Sequence, residues 1–238
     1  MLQASGASNM KRVILECGGK SANIVFDDCP ADLDWMASDV VATAFPNQGA
    51  LCVTGSRLLV QDTLKDKLME KVLEHTAKIT PQDPLNPETT FGAIMNEAHM
   101  NKVMGFIKSG LDEGADLLCG GQQVNKATGG FYIEPTIFDN VGVNDTIAQN
   151  EIFGPVLSVF TFKDEAQALA LANSTNYGLA AYVATENIGR AHRMGQQLDA
   201  GLIMVTGSST SQGGYVNLGV EPQRQSGMGA EGGRKGLE

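Results

Sequence analysis

Short apolar runs alternate with longer amphipathic segments along most of the chain. Short, mostly apolar runs predict strands at residues 23–26, 57–61, 155–162, 179–184 and 202–205, and we expect those at 23–26 and 155–162 to be buried. Apolar residues at helical spacing predict helices at residues 32–45, 62–79, 164–173 and 188–198. Strands that alternate with helices are typical of a parallel sheet that is covered on both faces. We therefore expect an α/β fold with a mostly parallel sheet flanked by helices.

Local signals mark the ends of several predicted elements. Pro46 follows one predicted helix and cannot continue it. Asp164 and Gln167 have the spacing of a capping box. Asn96 has the position of an N-cap for a helix with an apolar stripe made of Met100, Val103, Met104, Ile107 and Leu111. Further strands are predicted at residues 12–15, 115–119 and 131–138, and a loop rich in Gly, Ser and Gln from residue 206 onward.

The composition and net charge of the chain argue against some classes of binding partner. The 238 residues are 42% apolar and 18% charged, as in a folded globular protein. Seventeen Lys and Arg stand against 27 Asp and Glu, which leaves a net charge of −10. This charge disfavours nucleic acid and anionic membrane surfaces as partners. No apolar run approaches the ~20 residues that span a bilayer, and residues 1–9 lack a signal-peptide pattern, so we expect a cytoplasmic protein.

The cysteines and histidines do not follow a metal-binding pattern. The cysteines are widely spaced and contain no CxxC pair, which argues against structural zinc and against a disulfide framework. We therefore expect no metal site and four thiols, any one of which could be a nucleophile: Cys17, Cys29, Cys52 and Cys119. The histidines are expected at the surface of helices without a catalytic role: His75, His99 and His192.

Three segments contain residue types that suit catalysis. Glu16 stands at a predicted strand end beside Gly18-Gly19, where the backbone can approach a ligand at the carboxyl edge of a sheet. Cys52 lies in a predicted loop, and its thiolate could be a nucleophile if nearby N–H groups or charges lower its pKa. Glu151 and Phe153 precede a buried strand, where a carboxylate and a ring could hold a ribose and a flat heterocycle. Taken singly, each segment also fits an ordinary turn, a buried thiol or a core phenylalanine.

The order of these motifs resembles that of the NAD(P)-dependent aldehyde dehydrogenases. The matching residues run through nearly the whole chain: Leu15-Glu16-x-Gly18-Gly19-Lys20, Asn47-Gln48-Gly49 with Cys52, Gly55-Ser56-Arg57, residues 130–136, Glu151-Ile152-Phe153-Gly154-Pro155, residues 176–180 and Gln225-Ser226-Gly227. The Cys and Glu segments are highly specific as a pair. The resemblance implies the C-terminal, catalytic-domain part of that family, with the corresponding α/β fold.

The resemblance also implies a reaction. Cys52 would attack the carbonyl of an aldehyde, and loss of hydride to NAD or NADP would leave a thioester. Glu16 would be the general base for the water that hydrolyses the thioester, and the backbone N–H of Cys52 would donate to the oxyanion. Glu151 would bind the nicotinamide ribose, with Phe153 against the ring and Gly18 beside the cofactor. Lys102 would reach toward the adenine-side ribose.

The chain departs from the family in its length and in its later segments. We expect residues 1–19 to be the last strand of an otherwise missing dinucleotide-binding domain, and residues 20–238 to be the catalytic domain. The missing half would also carry an Asn of the oxyanion hole, and losing one such donor costs ~10²–10³ in rate. Residues 206–215 are small and polar, so they do not indicate which aldehyde is bound.

Three functions therefore stay open on the sequence. The first is an aldehyde dehydrogenase that depends on a cofactor half supplied from elsewhere. The second is a NAD-independent thiol esterase that uses only Cys52 and Glu16. The third is a catalytically silent partner or decoy. The expected partners are a small aldehyde and either a second copy of this chain or full-length dehydrogenase subunits.

Overall fold

A central seven-stranded sheet organises the computed structural model, which describes residues 1–30, 32–205 and 219–237. The strands are Leu15–Glu16 (β1), Ala22–Val25 (β2), Arg57–Gln61 (β3), Asp116–Cys119 (β4), Gln123–Val124 (β5), Tyr132–Ile133 (β6), Thr136–Asp139 (β7), Val156–Phe162 (β8), Tyr177–Gly178 (β9), Ala180–Ala184 (β10), Leu202–Val205 (β11), Gln223–Arg224 (β12) and Gly227–Met228 (β13). The sheet has the order β11-β10-β2-β3-β8-β7-β4. Its strands are parallel except for β4, which is antiparallel to β7. The predicted α/β class with a mostly parallel sheet is confirmed.

Three antiparallel pairs of short strands lie outside this sheet: β1 with β13, β5 with β6, and β9 with β12. In the first pair Glu16 lies opposite Gly227, so the segment before the central sheet is bonded to a late part of the chain. The strand predicted at residues 12–15 begins only at Leu15, where this partner is present. The loop predicted from residue 206 onward contains β12 and β13, and its residues 206–218 lie outside the described part of the chain.

Helices cover both faces of the sheet. They are Leu2–Gly6 (α1), Leu33–Ala44 (α2), Lys65–Thr76 (α3), Glu97–Asp112 (α4), Thr146–Gln149 (α5), Glu165–Ala172 (α6) and Ile188–Gln197 (α7). Helices α2 and α3 pack on one face, and α4 to α7 pack on the other. Within the described residues, every helix is too short or too polar to span a bilayer.

The predicted helix caps form, because each needs only neighbouring residues. Asn96 accepts a hydrogen bond from the N–H of His99 at 2.8 Å. Asp164 accepts one from the N–H of Gln167 at 2.9 Å. The reciprocal bond of the capping box goes elsewhere, since the side-chain oxygen of Gln167 accepts from the N–H of Lys163.

Strand β8 runs through the core, and six of its seven residues are buried. Its residues alternate between the two faces, with Leu157 and Val159 toward α2 and α3, and Val156, Phe160 and Phe162 toward the other helices. The predicted burial on both faces is confirmed, and each such side chain contributes about 1.5–3 kcal/mol through burial.

The apolar stripe of α4 ends earlier than predicted. Its residues Met100, Val103 and Ile107 are buried, but Leu111 is 49% exposed. Gly110 takes the buried position at this end instead, and a Cβ there would come within 2.9 Å of the side chain of Ile147. The close packing of α4 against α5 therefore places Gly110, instead of Leu111, on the buried face of the helix.

Candidate functional site

Three loops meet at one edge of the central sheet. The pair Gly18-Gly19 precedes β2, Cys52 precedes β3, and Glu151 precedes β8. Strands β2, β3 and β8 are parallel neighbours, so the segments that lead into them lie side by side. The expected position at the carboxyl edge is wrong, because these segments lie at the amino ends of the strands. Glu16 does end a strand, but β1 pairs with β13 and is separate from the central sheet.

Glu151 is held against the glycine pair. Its Oε1 accepts a hydrogen bond of 3.0 Å from the backbone N–H of Gly19. A Cβ on Gly18 would lie 2.5 Å from Oε2, so the absence of a side chain there makes room for the carboxylate. Burial raises the pKa of Glu151, while the Gly19 N–H and the charges of Lys102 and Lys20 act to lower it. Oε2 accepts no hydrogen bond from the described residues and can accept one from a ligand hydroxyl.

The Cys52 loop touches both of the other segments through its backbone. A Cβ on Gly19 would overlap the carbonyl oxygen of Cys52, and a Cβ on Gly49 would overlap the carbonyl oxygen of Gly154. The loop begins in a tight turn, Pro46–Gly49, where Asn47 and Gln48 have φ values of 49° and 57°. Left-handed backbone costs non-glycine residues roughly 1–2 kcal/mol each, so the surrounding contacts must hold this turn in place.

Cys52 is an exposed residue, and the surroundings of its thiol favour the protonated form. Partial burial raises its pKa above the ordinary value, and the negative charges of Glu151 and Glu16 raise it further. Hydrogen bonds from the backbone N–H groups of Cys52 and Val53 act in the opposite direction. The lowered pKa on which the sequence interpretation depended is not present, so this thiol needs a base or a nearby positive charge for activation.

Glu16 lies close enough to Cys52 for its charge to raise the pKa of the thiol. The pKa of Glu16 is itself raised by burial and by the charge of Glu231. Glu231 is bonded in a short antiparallel bridge to Val220, through N–H···O contacts of 2.8 and 2.9 Å. Glu231 is not among the site residues predicted from the sequence. The only signal in the sequence is an acidic residue shortly after the Gln225-Ser226-Gly227 motif, and this motif does not indicate that Glu231 lies near Glu16.

Helix α4 contacts the third loop. Phe153 has a φ of 59° and a side chain that is 37% exposed. The Nε2 of His99 lies 2.7 Å from the carbonyl oxygen of Phe153, and the two rings stack with centroids 6.0 Å apart. Lys102, one turn further along, is exposed, with its Nζ 5.8 Å from the ring centroid of Phe106. The prediction that His99 is a surface residue without a role missed these contacts.

Two buried basic side chains, Lys20 and Arg57, lie behind the glycine pair. Lys20 is 2% exposed, its Nζ has no hydrogen-bond partner, and burial together with the charge of Arg57 lowers its pKa to about 7. The guanidinium of Arg57 donates to the carbonyl oxygens of Lys20, Leu171 and Ala172 at 2.9, 2.8 and 2.7 Å. These bonds fix the backbone that follows Gly19. No group of three His, Cys, Asp or Glu side chains among the described residues could hold a metal ion.

Comparison with known proteins gives one family. A family model described as "Aldehyde dehydrogenase family" matches residues 1–238. An indole-3-acetaldehyde dehydrogenase from P. syringae, solved with NAD+ and IAA, is 43% identical with a TM-score of 0.94. The aldehyde dehydrogenase KauB from Pseudomonas aeruginosa is 44% identical with a TM-score of 0.94. A betaine aldehyde dehydrogenase from Staphylococcus aureus, solved with NAD+, is 31% identical with a TM-score of 0.91.

The extent of these matches differs between the two sides. The alignments cover 99% of this chain with the first two structures and 100% with the third. They cover only 47%, 47% and 46% of the respective solved chains. The chain therefore spans about half the length of the solved relatives that it matches.

Proposed function

Because this chain belongs to the aldehyde dehydrogenase family, as its motifs predict, we propose that it oxidises an aldehyde to a carboxylic acid at Cys52, with NAD or NADP as the hydride acceptor. The observation that carries the proposal is the convergence of three loops, in which Gly19 touches the Cys52 backbone and bonds Glu151. A nucleophile, a base and a cofactor-binding carboxylate are then close together.

Cys52 is the proposed nucleophile. Its sulfur forms a bond to the aldehyde carbon, and the thiol proton is taken up by a base or by water. The carbonyl oxygen becomes an oxyanion, to which the backbone N–H of Cys52 can donate. Loss of hydride from that carbon leaves a thioester on Cys52. The raised pKa of the thiol makes this activation the step that the surroundings of Cys52 must assist.

Glu16 is the proposed general base for the second half of the reaction. It takes a proton from water, the resulting hydroxide attacks the thioester carbon, and the thiolate of Cys52 leaves with the carboxylic acid released. Burial and Glu231 raise the pKa of Glu16. A raised pKa makes a carboxylate a stronger base while it remains ionised near neutral pH.

The residues of the site fit a nicotinamide dinucleotide. The Oε2 of Glu151 accepts no hydrogen bond from the described residues and can accept from ribose hydroxyls, Gly18 makes room for that carboxylate, and Phe153 is an exposed residue. Lys102 would contact the adenine-side ribose. When bound, the cofactor supplies the hydride acceptor. We infer both cofactor choices, NAD and NADP, from the family alone.

The same proposal includes the bounds of the domain, the assembly in which it acts and its cellular compartment. Residues 20–238 would be the catalytic, C-terminal part of the family, and residues 1–19 the last strand of the dinucleotide-binding part. The pairing of β1 with β13 supports a boundary there, because β1 is not part of the central sheet. A homo-oligomer or a complex with full-length subunits, in the cytoplasm, is the proposed setting.

The test compares two substrates in one set of variants. Cleavage of 4-nitrophenyl acetate measures acylation and deacylation of Cys52 without a hydride acceptor. Propanal with NAD+ or NADP+ measures oxidation through reduced cofactor. We expect Cys52→Ala to abolish both reactions. Glu16→Gln should keep a burst of nitrophenol but slow the steady rate, because only deacylation needs the base. Cys17→Ala, which removes another exposed thiol, is the matched control.

Each result separates one function from the others. Reduced cofactor that depends on Cys52 supports the dehydrogenase. Ester cleavage that depends on Cys52, without reduced cofactor, contradicts aldehyde oxidation by this chain alone and favours the thiol esterase, for which the exposure of Cys52 is the supporting observation. If neither substrate reacts in a Cys52-dependent way, the result favours the catalytically silent partner or decoy.

A further inference from the structure

We infer that His99 is a positioning residue that holds Phe153 in its left-handed conformation and so sets the orientation of the Phe153 ring at the cofactor site. This inference rests on the proposed function, because it gives the ring of Phe153 a task. It adds a residue that sequence analysis placed at the surface. His99 acts through Phe153 and need not touch the cofactor.

The first observation is a hydrogen bond to the backbone. The Nε2 of His99 lies 2.7 Å from the carbonyl oxygen of Phe153. A carbonyl oxygen only accepts, so Nε2 must carry the hydrogen. The direction of this carbonyl is determined by ψ of Phe153, and the bond therefore restrains ψ. The neighbouring φ is already 59°, in a region that phenylalanine rarely adopts.

The second observation is the ring contact. The imidazole and the phenyl ring stack with centroids 6.0 Å apart and an interplanar angle of 30°. Phe153 as a residue is 37% exposed, so its other surroundings leave it partly open to solvent. His99 thus contacts Phe153 at both the backbone and the side chain.

The third observation is that the helix holding His99 is itself fixed. The N–H of His99 donates to the N-cap side chain of Asn96 at 2.8 Å. One turn later, a Cβ on Gly154 would come within 2.6 Å of the side chain of Val103, so the helix and the loop are in close contact. His99 therefore extends from a rigid element toward a strained loop residue, which is the arrangement that a positioning residue requires.

The experiment separates the hydrogen bond from the ring contact. His99→Gln keeps a side-chain N–H donor of similar reach, His99→Phe keeps a ring without a donor, and His99→Ala removes both. His192→Ala, an exposed histidine on α7, is the matched control. The first readout needs no cofactor. The full chain is labelled with 4-fluorophenylalanine, and the ¹⁹F signal of Phe153 is identified among the nine phenylalanines by its loss in Phe153→Leu.

We expect the Phe153 signal to shift and broaden in His99→Ala and His99→Phe, and to keep its wild-type position in His99→Gln and His192→Ala. The second readout is the dissociation constant of NAD+, which should rise about 3–10-fold in His99→Ala and His99→Phe, as the loss of one hydrogen bond allows. A full rescue by His99→Gln identifies the donor as the working feature.

Two results would overturn the inference. One is an unchanged Phe153 signal in His99→Ala. The other is a wild-type protein that binds NAD+ while His99→Ala binds it equally well. If the wild type binds no NAD+, the proposed cofactor use fails, and the ¹⁹F signal alone decides whether His99 positions Phe153.

Discussion

The backbone N–H of Gly19 donates a 3.0 Å hydrogen bond to the Oε1 of Glu151, 132 residues later in the chain. The same glycine lies against the carbonyl oxygen of Cys52 with no room for a side chain. One residue therefore joins the loop of the proposed nucleophile to the proposed cofactor-binding carboxylate. Substitutions at the glycine pair test this arrangement directly.

Gly19→Ala should destabilise the protein, because its Cβ would overlap a backbone atom of the Cys52 loop. We expect a loss of about 1–3 kcal/mol in the free energy of unfolding, measured by urea denaturation. Gly195→Ala is the control, since nothing lies within 4 Å of a Cβ there. In the exposed face of α7 it should be neutral or stabilising by roughly 0.5–1 kcal/mol. Equal stability for Gly19→Ala and the wild type would contradict the close contact.

Gly18→Ala should act differently, because its Cβ meets the end of a flexible side chain. The carboxylate of Glu151 can swing away from the 2.5 Å contact, so the fold should keep most of its stability. The displaced carboxylate should weaken NAD+ binding, which isothermal titration can measure. Wild-type affinity in Gly18→Ala would show that Glu151 does not need its present position.

The reactivity of Cys52 should increase when either nearby carboxylate loses its charge. Glu151→Gln and Glu16→Gln each remove a negative charge that raises the pKa of the thiol, and Glu151 has the larger influence. Alkylation by iodoacetamide near pH 8, in a Cys17→Ser background, should therefore be several-fold faster in Glu151→Gln and less so in Glu16→Gln. Glu70→Gln, an exposed residue on α3, should leave the rate unchanged. Slower alkylation in Glu151→Gln and Glu16→Gln would contradict the conclusion that these two carboxylates raise the pKa of the Cys52 thiol.

Glu231→Gln should lower the pKa of Glu16, though not to its ordinary value, because burial still raises it. The pH profile of Cys52-dependent ester cleavage should then move to lower pH. Stability offers a second check. Folding raises the pKa of Glu16 above its ordinary value of 4.5, so the free energy of unfolding of the protein falls as the pH rises above 4.5. Glu231→Gln weakens this effect, so the variant should be more stable than the wild type at pH 7 but not at pH 4. A profile that superimposes on the wild type would exclude coupling between the two carboxyl groups.

Lys20→Met should stabilise the protein near neutral pH. Folding lowers the pKa of Lys20 from 10.5 to about 7, so the unfolded chain binds a proton between these values that the folded chain does not. The wild-type free energy of unfolding should therefore rise with pH across this window. The pH-dependent part of the difference should reach roughly 4–5 kcal/mol at pH 7 and disappear above pH 10.5, where only the pH-independent cost of the unpartnered buried amine remains.

Urea denaturation of both proteins at pH 7, 8.5 and 10 measures the difference directly. Lys67→Met, an exposed residue on α3, is the matched control and should show a difference that does not depend on pH. A pH-independent gap for Lys20→Met would mean that Lys20 remains protonated in the folded protein.

Elements that depend on neighbouring residues alone follow from the amino-acid sequence. The strands at residues 57–61 and 202–205 begin and end as predicted, because each apolar run is bounded by turn residues or polar residues, although Leu202 is the only buried residue of the edge strand β11. The caps at Asn96 and Asp164 depend only on the next turn of helix. The split of the strand predicted at 131–138 into β6 and β7 was missed, because pairing with two different partners interrupts it.

The sequence by itself determined the family, the α/β class and the residue types that the proposed reaction needs. Only the tertiary structure decided that these segments lie side by side, because β2, β3 and β8, which follow them, pair as parallel neighbours in the central sheet. It alone placed Glu231 near Glu16, His99 against Phe153, and the unpartnered amine of Lys20 in the interior. These relations join residues distant in the chain, and their strength depends on burial, which local sequence patterns do not encode.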